Sequence, residues 1–359
     1  VPFSLHIDPS RIDAATIRTF VPGASIPDIK LNVSGDISGK VRNLDVNDLR
    51  IESESGITAI GINASINGLP DMDRVTANLL LNECHTTTAD LAGIIKSFDR
   101  SFKESSIAKY APGETITASG TVSGPISNLK AALNVNAGGY GGINTEMICK
   151  GATSGAPKLS GNISGRSLAI GKFLNDTTFS SATFSGNIAA QLGKNPTILV
   201  DNLNIESFGF KGYDYSGITA SGAMEGKAIS AVLNSQDPNL QVNGDISIVL
   251  DDNARNYYKA DIRLDRADLH ALNLDNRDTS LITGEIIADI EQTEGPVFLG
   301  QAKLKDIRVR LGDGRHDLGN INARAYFDNE DQYNIEVTSS LADASYRGSS
   351  SVKESNLCM

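Results

Sequence analysis

The sequence predicts an almost all-β protein: a long antiparallel sheet bent inward over an apolar face, either packed on itself or left open as a groove, plus one or two short helices at about 9–20 and 88–102. Three observations predict it. Apolar and polar residues alternate with a period of two along most of the 359 residues. Recurrent helical patterns between the strands are missing. One short strand, Ser34-Gly-Asp-Ile-Ser-Gly39, returns as Ser119-Gly-Thr-Val-Ser-Gly124 and as Ser160-Gly-Asn-Ile-Ser-Gly165.

Along the chain, Asp8-Pro9 before Ser10 to Phe20 reads as a capped helix, with Asp8 accepting free N–H groups and Pro9 in the first turn. Strands follow at about 31–42, 44–53, 56–67 and 73–83. They are separated by turn residues such as Ser55-Gly56 and Gly68-Leu-Pro-Asp71. In the first, Leu31, Val33, Gly35, Ile37, Gly39 and Val41 share a face. Ile60, Ile62, Ala64 and Ile66 share a face in the third, and Val75, Ala77, Leu79 and Leu81 in the fourth.

Residues 88–102 carry Leu91, Ile94, Ile95, Phe98 and Phe102 at helical spacing, with Thr88 as the cap and Asp90 in the first turn. Alternation then resumes. Val122 and Ile126 lie on one face with Gly120 and Gly124; Ile188 and Leu192 lie with Phe184 and Gly186. Further on, Val242, Gly244, Ile246 and Ile248 share a face, as do Ile282, Gly284, Ile286 and Ile290. Roughly twenty strands at ~4.8 Å spacing would make an unbroken sheet on the order of 90–100 Å long. Such a sheet cannot stay flat and bare in water, so its dry face must curl, pair or hold something apolar.

The central glycines of the repeated strands recur at irregular intervals, which disfavours propellers and short-period solenoids. Residues 1–349 therefore read as one elongated, repetitive segment with sub-repeats 1–85, 86–165 and 166–349. Residues 350–359 form a tail without pattern. Gly35, Gly39, Gly120, Gly124, Gly186, Gly244 and Gly284 lie on the aliphatic face, where glycine lets a sheet bend inward.

Composition narrows the function. A net charge of −11 with no dense basic run argues against nucleic acid as a partner. Cys84, Cys149 and Cys358 lack metal-ligand spacing and give no disulfide framework. The four histidines are isolated from one another in sequence, and no hydrolase, zincin or P-loop motif occurs. Gly138-Gly-Tyr-Gly-Gly142 lacks the Lys-Ser/Thr of a phosphate loop and reads as a hairpin turn. Carboxylate pairs such as Asp71 and Asp73 sit in turns. No catalytic residue, metal site or cofactor is expected. No run reaches the ~18 apolar residues of a membrane-spanning helix. Neither end reads as a natural terminus, so a piece of a longer protein is expected.

The Ser-Gly-x-Ile/Val-Ser-Gly strands, with Asn43-Leu44 and Asn128-Leu129 after the first two, resemble the TamB family of the AsmA-like superfamily. So do Ile66-Asn-Gly-Leu-Pro-Asp71, Thr88-Ala-Asp-Leu91, Phe298-Leu-Gly300 through Leu304-Lys-Asp-Ile307, Leu318 to Phe327, and Val337-Thr-Ser-Ser340. The likeness is to versions from Bacteroidetes-type bacteria and covers nearly the whole chain. It implies a non-enzymatic, periplasm-spanning segment of the cell envelope. In the full-length protein this would be anchored in the inner membrane and partnered by an outer-membrane barrel assembly protein, through regions outside this chain. It also implies that the sheet is bent into a U-shaped, taco-like groove with an apolar interior, which shields phospholipid or other acyl chains on their way to the outer membrane or serves in protein assembly.

On that reading the groove is lined by Val33, Ile37, Val41, Ile60, Ile62, Ile66, Leu79, Leu81, Val122, Ile126, Ile188, Leu192, Val242, Ile246, Ile248, Ile286 and Ile290. Burying acyl chains there is favourable by ~0.8 kcal/mol per CH₂. The competing readings are a structural or adhesive β-solenoid-like surface protein with a closed core, and a polysaccharide-active β-helix enzyme, which would need a carboxylate cluster on one face.

Overall fold

The computed structural model describes residues 2–13, 30–71, 74–98, 113–250, 255–293 and 297–348. The chain divides into two units, Val1–Lys194 and Asn195–Met359. This boundary does not coincide with the ends of the sequence sub-repeats, and residues 350–359 lie outside the described part.

The first unit is a ten-stranded antiparallel meander in which each strand pairs with the next. The strands are β1 (Phe3–Asp13), β2 (Lys30–Lys40), β3 (Asn43–Ser53), β4 (Ala59–Asn67), β5 (Thr76–Thr86), β6 (Ile116–Pro125), β7 (Asn128–Asn136), β8 (Gly142–Lys150), β9 (Lys158–Leu168) and β10 (Phe179–Gln191). The second unit contains β11 (Thr197–Phe210), β12 (Tyr213–Tyr215), β13 (Ile218–Glu225), β14 (Ala228–Asp237), β15 (Leu240–Val249), β16 (Asn256–Asp268), β17 (Ser280–Gln292), β18 (Phe298–Leu311), β19 (Gly314–Phe327), β20 (Tyr333–Ser339) and β21 (Ala344–Gly348). β11 pairs with both β12 and β13, and from β13 onward each strand again pairs with its successor. Short connections favour this order, because a tight turn can only return the chain beside the strand it has left.

The stretch expected as a helix at 9–20 is corrected over its described part. Residues 9–13 belong to β1, which pairs with β2 from Phe3↔Gly39 to Asp13↔Lys30. The register shifts between Ile7 and Ser10. Pro9 therefore sits in an irregularity, where a missing backbone donor breaks no ladder bond. Residues 14–20 lie outside the described residues.

Two α-helices are described. α1 (Thr88–Phe98) joins β5 to β6, and α2 (Ile170–Leu174) joins β9 to β10. The cap of α1 is Thr87 rather than Thr88: its hydroxyl accepts the Asp90 N–H at 3.2 Å and its carbonyl accepts the Leu91 N–H. Asp90 in turn accepts from Thr58 Oγ1 at 2.9 Å and ties the helix to the β3–β4 turn. Ala92 is buried and Leu91 exposed, so the helix turns a smaller residue inward than the spacing of large side chains predicts. The side chains of Ile94, Ile95 and Phe98, and all of Phe102, lie outside the described residues.

Gly138–Tyr140 is a 3₁₀ turn of the β7–β8 hairpin, as its composition predicts. α2 docks beside it. Lys172 Nζ donates to the Gly139 carbonyl at 2.9 Å and lies 4.7 Å from the Tyr140 ring centroid, and the Phe173 ring packs edge-on against Tyr140 at 5.3 Å.

The two long edges of each sheet differ. In the first unit, one edge carries α1, the Gly138–Tyr140 turn and α2, and collects Thr58, Ala59, Thr86, Thr88, Ala92, Leu168 and Ala182 as buried residues. The opposite edge is made of connections that include residues 41–42, 68–71, 126–127 and 151–157. In the second unit the corresponding covered edge holds Tyr215, Ile218, Ala267 and Leu272, packed with Phe208, Leu240 and Leu264. Asp237 anchors that edge. It is 1% exposed and accepts from Tyr213 Oη at 2.7 Å, the Asn239 N–H at 2.8 Å and the Ser216 N–H at 2.9 Å.

Candidate functional site

The registers turn the alternation into rows that cross the strands. In the first unit, Leu5, Ile37, Val46, Ala64 and Leu79 are successive partners on β1–β5. Val122, Ala131, Met147, Gly161 and Ile188 continue the same row over β6–β10. Flanking it run Ile62, Leu81, Gly120 and Leu133, and, one step further, Val33, Ile51, Ile60, Cys84, Ala118 and Val135. Leu44, Ile66, Ala77 and Gly124 form a row on the other side.

The second unit repeats the arrangement. Ala231, Ile246, Ala260, Ala288, Ala302 and Ala323 lie in register on β14–β19. On one side are Ile229, Ile248, Tyr258, Ile290 and Gly300; on the other are Leu233, Gly244, Ile262, Ile286 and Leu304; and beyond these are Val242, Leu264 and Gly284. At ~4.8 Å per strand, the ten-strand row of the first unit spans on the order of 43 Å and the six-strand row of the second about 24 Å. No charged side chain interrupts these rows.

The predicted lining residues of each unit fall on that unit's own apolar face, with three exceptions in the first unit. Val41 and Ile126 sit in two-residue turns and Leu192 lies one residue past β10, so these three mark the rim and not the strand wall. Of the seventeen, fourteen are half-buried and Val41, Leu192 and Ile246 are exposed, at 60%, 42% and 41%. None is buried as a core residue would be. Leu5 at 49%, Ile229 and Leu233 at 38%, and Phe298 at 44% show the same openness on the apolar face. Among the described residues, every strand of a unit belongs to one sheet, and no second sheet is found within the unit.

The apolar positions are nevertheless less exposed than the polar ones between them, as in β7 and β16. A sheet curved toward its apolar side has this signature, because side chains on the inner face shield one another. Where alanines and Gly300 replace larger residues, the face has a hollow of about 110 Å³ lined by Ile290, Phe298, Ala302, Ala323, Ala325 and Ile335.

The glycines have a more local reason than bending alone. Gly120 has φ +150°, and a Cβ there would collide with the Ala132 carbonyl oxygen of β7. Gly120 also stands between Leu81 and Leu133, so its bare α-carbon relieves crowding in the row. Gly35, Gly39, Gly124 and Gly284 share positive φ, whereas Gly244 is hemmed in by the Asp261 carbonyl oxygen without it.

Curvature has a second source that the alternation hides. β3, β11 and β18 each carry an extra residue in the left-handed region: Asp48, Asn202 and Asp306, with φ 48°, 49° and 51°. The surrounding sequences match, as Val46-Asn-Asp-Leu-Arg-Ile51, Val200-Asp-Asn-Leu-Asn-Ile205 and Leu304-Lys-Asp-Ile-Arg-Val309. In two of them the freed N–H donates to an asparagine amide on the next strand, Asp48 to Asn63 at 2.5 Å and Asp306 to Asn320 at 3.0 Å. Each such bulge bends its strand and raises the local twist.

The outer face is charged and partly self-paired, as in Arg50–Glu52 at 2.6 Å, Lys259–Asp289 at 3.3 Å and His6–Asp36 at 2.7 Å. The Asp36 hydrogen bond and charge raise the His6 pKa. Burial raises that of the Cys84 thiol, which favours the unreactive form. Among the described residues, no group of three His, Cys, Asp or Glu side chains is placed to hold a metal ion, and no helix is long and apolar enough to cross a membrane. Comparison with protein-family models, curated proteins and solved structures found no match.

Proposed function

We propose that this chain is a non-enzymatic, TamB-like segment of a lipid-transfer conduit, in which the apolar face shields phospholipid acyl chains while they cross an aqueous compartment of the cell envelope. The observation that carries the reading is the unbroken apolar row over ten consecutive strands, most of whose side chains are only half-buried. A face of this kind suits acyl chains for a physical reason. Their transfer is driven by area removed from water and needs no directional partner, so a lipid can shift along the rows without losing hydrogen bonds. The partners on this reading are phospholipid or another acyl-chain ligand and, through regions outside this chain, a membrane and an outer-membrane barrel assembly protein. The place of action is the periplasm.

The test is organic extraction of the purified chain followed by lipid mass spectrometry. Co-purifying phospholipid is expected, with its amount reduced several-fold in Ile246→Asp, a variant that is expected to fold because Ile246 is already 41% exposed. Protein that stays free of lipid after incubation with phospholipid vesicles would falsify the conduit reading.

A further inference from the structure

The open edge of the first unit carries a charge pattern that no sequence window reveals. In a chain of net charge −11, Lys40, Arg42, Lys130, Lys150, Lys158 and Lys194 all lie at or within two or three residues of the turns on this one edge. None of the six has an ion-pair partner among the described residues. Lys150 and Lys158 are direct cross-strand partners, an arrangement of like charges that disfavours the pairing. The described acids near this edge are Asp45, two residues into its strand, and Asp71, which pairs with Arg74 at 3.2 Å. The covered edge of the same unit is built differently: there Arg11 and Lys30 both pair with Glu54.

We infer that this basic rim binds the phosphate headgroups of anionic phospholipids whose acyl chains lie on the adjacent apolar face, so that the first unit prefers anionic over zwitterionic lipid. The inference rests on the conduit reading and adds the class of headgroup to it. Three features support it. Lys40, Lys150 and Lys158 are the end residues of their strands, next to Gly39, Cys149 and Leu159; alternation starts their stems on the polar face, and at a strand end the long side chain can bring its ammonium group round to the rim. Clustered cations without protein partners are satisfied by an anion that arrives with the ligand. The opposite edge is covered by α1 and α2, which leaves this edge as the place where a headgroup can stay in water.

The experiment loads the full chain from vesicles of equimolar phosphatidylglycerol and phosphatidylcholine, separates it from the vesicles, and quantifies both lipids in the extract. The comparison is with a variant in which all six cations are replaced by glutamine, checked for an unchanged melting temperature. The expected result is an enrichment of phosphatidylglycerol by about threefold to tenfold, the range that one or two exposed charge pairs supply. It should fall toward parity in the variant and in high salt, with total lipid retained. Equal headgroup ratios in the two proteins would overturn the inference while leaving the conduit reading intact. Lipid missing from both proteins would overturn the conduit reading, and the headgroup preference with it.

Discussion

Single residues set the conditions under which this sheet can exist. Gly120 shows why the repeated Ser-Gly-x-Ile/Val-Ser-Gly strand keeps its glycine: the neighbouring carbonyl of Ala132 occupies the place of a side chain. Asp237 shows how an edge is fastened. Burial works against its charge, yet hydrogen bonds from Tyr213, Asn239 and Ser216 outweigh it and hold the carboxyl below its usual pKa. A depressed folded-state value means that the Asp237 contribution is fully present above the unfolded value near 4 and is lost as the pH falls through the folded one. Chemical-denaturation midpoints are expected to hold steady from pH 7 to 5 and to drop below about pH 4. Asp237→Asn should lower the neutral-pH stability by about 2 kcal/mol and weaken that acid dependence. An unchanged acid limb in the variant would show that other carboxylates carry it.

At the scale of elements, the strands were legible because their alternation is nearly unbroken, whereas the bulges were not. Val46 to Ile51, Val200 to Ile205 and Leu304 to Val309 each look like a strand that loses its phase. Only the pairing shows a strand that continues past an extra left-handed residue. The shared apolar-x-Asp/Asn-Leu/Ile-x-Ile/Val pattern is a usable signal, since Asp and Asn tolerate that conformation. Asp306→Gly is expected to be neutral or slightly stabilising, and Asp306→Val to be destabilising by about 1–2 kcal/mol, because a β-branched residue resists φ near +50°. Urea midpoints of the two variants check this; equal midpoints would remove the conformational argument. The misread Asp8-Pro9 stretch has a related cause. Local cap chemistry favours a helix there, but pairing with β2 outweighs it, and the irregularity after Ile7 accommodates the proline.

For the whole molecule the telling quantity is surface. The chain exposes 22126 Å² at 38.0 kDa. A compact protein of this mass would expose about 14,000 Å², and two separate compact bodies of half the mass about 17,000 Å². Large apolar side chains left exposed on the strands, such as Leu5 at 49% and Ile246 at 41%, contribute to the surface. An apolar-surface dye such as ANS is accordingly expected to fluoresce strongly with the native protein at neutral pH, before any unfolding, and to be displaced by lysophosphatidylcholine below its micelle concentration. Fluorescence that rises only across the unfolding transition would mean that the face is sealed in solution. The rim cations belong to this scale too. Lys40 and Lys158 are more than a hundred residues apart, and a windowed reading of charge sees only isolated lysines in an acidic chain.

The sequence by itself determined the secondary-structure class and the apolar alternation of each strand, because period-two alternation is a local property that each strand declares alone. It could not determine which strand-end residues stand side by side, where a strand takes in an extra residue, or that one edge is covered and the other open. Those depend on register and on the backbone pairing of distant segments, and only the tertiary structure decides them. The same division separates the apolar lining, visible in any one strand, from the basic rim, which comes together only when six cations from separate strand ends share an edge.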